Sequence, residues 1–128
     1  MLRILVCGGR DYTDKQALFD ELDNLVAEYH ETSNGGITII SGEARGADAL
    51  ASQWAAVRRH HYEGYPADWE KHGKAAGPIR NQQMLTEGKP DLVVAFPGGR
   101  GTSNMVTLAE MAGVPVYAVS AASSKGPE

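Results

Sequence analysis

Cysteine is almost absent: Cys7 is the only one in 128 residues, so no intrachain disulfide can form, a usage that suits a reducing cytoplasm. Long apolar runs are missing too. None approaches the roughly 20 residues needed to span a bilayer as a helix, and a soluble protein is expected. Met1 to Cys7 carry one basic residue and a short β-branched run that stops at Gly8-Gly9, without the apolar region and small-residue cleavage site of a signal peptide. We therefore expect a cytoplasmic protein with no membrane partner. Basic residues are in deficit, 12 against 16 acidic, for a net charge of −4. Binding to duplex nucleic acid rests on phosphate neutralisation by Lys and Arg, so a small ligand is the better expectation. Arg58-Arg59-His60-His61 reads as the solvated end of a helix, where cations oppose the negative dipole end. His60, His61 and His72 with Cys7 show no metal-ligand spacing, so neither metal nor cofactor is expected.

Short β-branched stretches are present, at Ile4 to Cys7, Ile37 to Ile40, Leu92 to Phe96 and Val114 to Val119. They are too short for typical helices and read as strands buried on both faces; His61 to Tyr65 is a weaker fifth. Between them lie helical patterns. Thr13 to Gln16 has the capping-box form, followed by Leu18, Leu22, Leu25, Val26 and Tyr29 on one face, until Asn34-Gly35-Gly36 ends the helix. Ala47 to Arg59 forms a second, with Leu50, Ala51, Trp54, Ala55 and Val57 inward. Asp68 to Gly88 is mostly helical with a break at Gly77-Pro78, and Thr102 to Ala112 is a last helix closed by Gly113. Such alternation predicts a single α/β domain over residues 1–120, a Rossmann-like, doubly wound, mostly parallel sheet of about five strands with helices on both faces. Residues 121–128 form a frayed tail.

In a doubly wound sheet the ligand crevice lies beyond the carboxyl ends of the strands, and three segments fall there. Gly8-Gly9-Arg10-Asp11 follows the first strand, where missing Cβ atoms allow close approach of a ligand. After the second strand, Ser41 to Asp48 concentrates Gly42, Glu43, Arg45 and Asp48 at a helix start. The sharpest signal is Pro97-Gly98-Gly99-Arg100-Gly101-Thr102-Ser103-Asn104. Three glycines lead into a helix N-terminus whose free N–H groups, dipole and hydroxyls suit an anion. A purely structural turn needs one glycine. No Gly-Lys-Ser/Thr follows, so this is not a Walker A loop, and the dinucleotide fingerprint is absent after the first strand. Trp54 reads as core, whereas Trp69, in a loop after Pro66-Ala67-Asp68, is positioned to stack on a base.

Pro97 to Thr102, together with Gly77-Pro78-Ile79-Arg80-Asn81-Gln82-Gln83-Met84, resembles the SLOG superfamily of Rossmann-like nucleotide-binding proteins. Ser41 to Asp48, Ala67-Asp68-Trp69 and His72-Gly73-Lys74 are similar to its YspA-related branch, small proteins frequent in bacteria and phages. The resemblance covers residues 2–119. The Lonely Guy phosphoribohydrolases are the best understood relatives; they are usually dimers and cleave the N-glycosidic bond of nucleoside 5′-monophosphates. The resemblance implies phosphate on Gly98, Gly99, Gly101 and Thr102, a catalytic arginine at Arg80 followed by Asn81 where the family has lysine, and a homodimer or higher homo-oligomer. The glutamate three residues after the family's threonine is here Met105. Methionine can neither stabilise the positive charge that develops on the ribose nor activate water. Glu110 lies about 12 Å along the helix from Thr102.

Two readings follow. In the first, the chain binds a phosphate-bearing nucleotide or derivative as a sensor or sequestering module, with Arg80 and Arg100 neutralising charge and Gly8, Gly9, Arg10 and Glu43 approaching base or sugar. In the second it is a nucleotide N-glycosidase, with Arg80 positioning substrate and a carboxylate from Glu43, or else Asp48, replacing the missing one; Asp11 and Asp68 are weaker donors.

Overall fold

The computed structural model describes residues 2–32 and 36–120. Five strands, β1 (Leu2–Cys7), β2 (Ile37–Ser41), β3 (His61–Gly64), β4 (Leu92–Ala95) and β5 (Val116–Ala118), form one sheet in the order β3-β2-β1-β4-β5. All four pairings are parallel. The helices are α1 (Lys15–Thr32), α2 (Ala47–Arg58), α3 (Trp69–His72), α4 (Ala76–Gly88) and α5 (Arg100–Met111), with a short 3-10 turn at Gly73–Ala75. The fold is α/β and Rossmann-like.

Parallel strands covered on both faces need apolar side chains at consecutive positions, and β1 supplies them. Ile4 and Val6 enter a core with Leu18 and Leu22 of α1 and Ala51, Trp54 and Ala55 of α2. Leu5 and Cys7 point the other way, to Met84 and Leu85 of α4 and Met105 and Ala109 of α5, as the two-residue period of a strand requires. Helices therefore cover both faces. Ile4, Leu5, Val6 and all three isoleucines of β2 are fully buried, each contributing about 1.5–3 kcal/mol.

Several local expectations are corrected. The first helix is capped by Asp14, whose Oδ1 accepts from Ala17 N at 3.0 Å. Thr13 lies one residue too early, and Gln16 bonds forward to Asp20 at 2.8 Å, so no capping box forms. Val57 is 59% exposed, because only Ala51, Trp54 and Ala55 face the sheet on that turn. Gly77-Pro78 does not break the helix; it occupies the first turn of α4, where proline's missing N–H costs nothing. The break falls at Gly73, with φ +55. Strands β3 and β5 are edges and largely uncovered, with Tyr117 44% exposed. Arg58 pairs with Asp23 at 2.8 Å and His60 stacks on Trp54 at 5.0 Å, so this part of the basic run is structural. The expected tail at 121–128 and most of the Asn34-Gly35-Gly36 break lie outside the described residues.

The order places β1 and β4 side by side although the chain runs from β1 outward through β2 and β3 before crossing back. A topological switch point results, and the loops after β1 and β4 diverge there to open a crevice.

Candidate functional site

Gly9 joins the three loops at this crevice. Its N–H donates to Pro97 O at 2.8 Å, and its carbonyl accepts from Tyr12 N at 3.2 Å and Ala47 N at 3.1 Å. The close approach explains particular glycines. A Cβ on Gly98 would meet Gly9 N at 2.6 Å, one on Gly8 would meet Ala47 Cβ at 2.6 Å, and Gly46 has φ +80 with its missing Cβ facing Arg10. Gly99 and Gly101 differ: a Cβ on either meets nothing within 4 Å.

Above these loops lies a cleft of about 570 Å³, within the usual size of ligand pockets. Of the residues expected at a site, Gly8, Gly9, Arg10, Asp48, Arg80, Asn81, Gly99, Arg100, Gly101 and Thr102 line it. Gly42, Glu43 and Arg45 line an adjoining hollow of about 380 Å³ instead. Pro97, Gly98 and Ser103 line neither; they hold the turn, with Ser103 N bonded to Gly99 O at 3.0 Å. The cleft also takes in Cys7, Trp69, Lys74, Pro78, Met84 and Asn104. Except for Trp69, and for Asn104 at the end of the glycine-rich segment, sequence reasoning gave none of these a site role, although Lys74, Pro78 and Met84 sit inside the motifs that carry the family resemblance. Trp69 begins α3 rather than lying in a loop; the residue is 48% exposed, with the Arg10 guanidinium 5.2 Å from its ring centroid.

Arg10, Lys74, Arg80 and Arg100 face the cleft against a single carboxylate, Asp48, so the site is cationic on a chain of net charge −4. Arg80 is half-buried. Its Nη1 donates to Gly42 O and its Nε to Asn81 Oδ1 at 3.0 Å; a Cβ on Gly42 would sit 2.6 Å from the guanidinium carbon. Burial lowers its pKa, Asp48 opposes that, and Arg10 adds to it. Asn81, buried, donates to Gly101 O at 3.2 Å and to Asn104 Oδ1 at 2.9 Å, fixing the start of α5 against α4. No side chain caps that start, which leaves its N–H groups to solvent or ligand.

Asp48 is 7% exposed. Burial pushes its pKa up to about 6, against the bond from Ala44 N, 3.2 Å away, and the attraction of Arg80. Burial and the nearby Asp48 charge push the Cys7 thiol up to about 12, so it remains protonated. Glu43 is exposed, has φ +61 and accepts a short hydrogen bond from Tyr62 Oη. Tyr62 Oη lies 2.6 Å from Ser41 Oγ, and its pKa is raised by burial and then by Glu43. Met105 is 1% exposed, inside the core between sheet and helices. Asp11 makes an exposed contact with Arg45 at 3.8 Å, and Asp68 caps α3 through Lys71 N at 3.1 Å.

The model of the YspA, cpYpsA-related SLOG family matches residues 2–72. A second finding agrees with that over nearly the full length: the chain is 40% identical over 123 residues to the Gene 61 protein of Mycobacterium phage D29, covering 91% of this chain and 94% of the other. This chain belongs to the YspA-related SLOG family. The family match takes in the loops after β1 and β2 and ends before Arg80 and the glycine turn. The crystal structure of TM1055, a structural-genomics target, is similar to this SLOG protein with a TM-score of 0.65 at 21% identity, covering 91% of this chain and 72% of that one. At that identity it supports the Rossmann-like fold. Among the described residues of this SLOG chain, no helix is long and apolar enough to cross a membrane, and no group of three or more His, Cys, Asp or Glu is arranged to hold a metal.

Proposed function

We propose that the protein binds a phosphate-bearing nucleotide or nucleotide derivative in the cleft at the β1/β4 switch point, with a phosphate against the N-terminus of α5. SLOG membership already suggests a nucleotide-related role. The observation that carries the finer reading is the contrast among the glycines of the turn. Gly98 is required by the chain, because Gly9 presses against it. Gly99 and Gly101 are required by nothing in the chain, and the space a side chain would take is open to the cleft. An uncapped helix start with that space above it is an anion cradle, and Arg10, Lys74, Arg80 and Arg100 supply the charge for an anionic ligand. The apolar face of Trp69 suits a base.

Thermal unfolding against nucleoside mono-, di- and triphosphates, cyclic forms and ADP-ribose tests this. A ligand at 100 times its dissociation constant adds about 2.7 kcal/mol of stability. No shift across the panel would remove the nucleotide reading.

One observation favours a second reading, base release by N-glycosidic cleavage. Asp48 is a buried carboxylate facing the same cleft as Arg80 with a pKa pushed up to about 6, the kind of perturbation catalytic acids and bases show. Under that reading Asp48, rather than Glu43 in the adjoining hollow, replaces the carboxylate lost at Met105. Base release detected by chromatography and abolished in Asp48→Asn would establish it; an intact ligand after prolonged incubation would leave a binding protein.

A further inference from the structure

The cleft and the hollow beside it meet at a shared boundary made of Arg10, Ala44, Trp69 and Arg80. Both boundary cations are guanidinium groups. Among the described residues neither forms an ion pair at contact distance, and the charge of Arg10 works against that of Arg80. Asp48 attracts Arg80 from the cleft side but makes no ion pair with it at contact distance, so the two guanidinium groups that line both cavities keep N–H donors for an anion, which would offset their repulsion and accept planar hydrogen bonds from both. This position is separate from the start of α5.

Beyond the boundary the chemistry changes. Glu43 is held with its backbone in the left-handed region, which is unfavourable for a residue other than glycine. Its carboxylate is fixed by the short bond from Tyr62. Gly64 makes room for it, since a Cβ there would fall 2.6 Å from Glu43 Oε2. A carboxylate pinned at such expense presents acceptor lone pairs to whatever enters the hollow. It repels a further phosphate and accepts from hydroxyl groups. Pro66, Ala67 and Trp69 also line the hollow, an apolar surface for C–H faces. A hydroxyl acceptor and an apolar surface lining one hollow fit a sugar.

We infer that cleft and hollow form one bipartite site, for a nucleotide whose phosphate chain is esterified at its far end to a second sugar: the nucleotide occupies the cleft, the distal phosphate bridges Arg10 and Arg80, and the sugar lies against Glu43. The inference rests on the nucleotide reading of the cleft and specifies the ligand further.

Calorimetric titration with matched pairs tests it, using ADP, GDP, CDP and UDP each against its diphosphosugar, with ADP-ribose also set against ADP. For the base that binds, the sugar-bearing member is expected to bind about tenfold tighter or better. In Ala67→Trp, which fills the hollow, the affinity ratio within the pair should fall to near one. Glu43→Gln should reduce the same ratio, and thermal unfolding identifies the variants that remain folded. Equal affinities within the pair, or a ratio that survives in both variants, would overturn the inference while leaving the nucleotide reading intact. Failure of every compound to bind would overturn both.

Discussion

Asp48 is the residue whose chemistry is most changed by folding. Its pKa rises from an ordinary 3.8 to about 6, chiefly through burial. The folded state then holds the proton more tightly than the unfolded one, so stability from this group is fully present below pH 4 and is lost as pH rises through 6. At neutral pH the buried charge costs about 3 kcal/mol. Asp48→Asn is accordingly expected to raise stability at pH 7.5 and to flatten its decline between pH 4 and 6.5, as read by urea unfolding across that range. The glycines of the turn separate in the same manner. Gly101→Ala adds a methyl group in open space inside a helix and should raise stability by about 0.5–1 kcal/mol while weakening nucleotide binding. Gly98→Ala forces a Cβ against Gly9 N and should cost about 1–3 kcal/mol. Calorimetric stability measured beside ligand affinity distinguishes the two, and parallel losses in both variants would refute the division between a structural and a ligand-facing glycine.

At the scale of elements, helix ends decide where side chains go. Asp14 caps α1 through Ala17 N, so Asp14→Ala should cost about 1 kcal/mol, whereas Thr13→Ala should change stability by less than about 0.5 kcal/mol; equal effects in denaturant unfolding would restore the capping box. The start of α2 matters more for the site. Gly46, in the left-handed region against the loop after β1, turns the chain so that Ala47 and Asp48 enter the helix buried. Glu43, four residues before Ala47, stays outside. The Asn81 bonds to Gly101 O and Asn104 tie α4 to α5. Asn81→Leu would leave the Gly101 carbonyl and Asn104 without this partner, at a cost of about 1–3 kcal/mol.

Over the whole molecule, charge is distributed against its average. The chain carries a net −4, yet four cations and a single carboxylate face the cleft. Concentrating one sign in a concave site focuses the field there and attracts an anionic ligand that the average charge would repel. Nucleotide affinity should therefore fall by about tenfold between low salt and about 0.5 M salt, where the screening length shrinks to a few ångströms. An affinity insensitive to salt would show that apolar stacking, not charge, holds the ligand.

Much of this architecture was legible in the sequence. Alternating β-branched runs and periodic helices require parallel strands with helices between them, because no other arrangement buries both faces of those strands. Glycine-rich segments after the first and fourth strands had to gather at one end of the sheet, since every strand points the same way. Local chemistry could not say which acidic residue of Ser41 to Asp48 enters the cleft, because Glu43 and Asp48 differ there only in their position relative to a helix start fixed by Gly46 and Gly9. Nor could it assign Met105 to the core, which follows from the angle at which α5 lies on the sheet and on α4. Lys74 and Arg10 reach the site through a turn at Gly73 and a stack on Trp69. The sequence by itself determined the order of elements and the end of the sheet where a ligand could sit, through burial periodicity and chain direction; the tertiary structure alone decided which side chains meet there, because that depends on contacts between residues far apart in the chain.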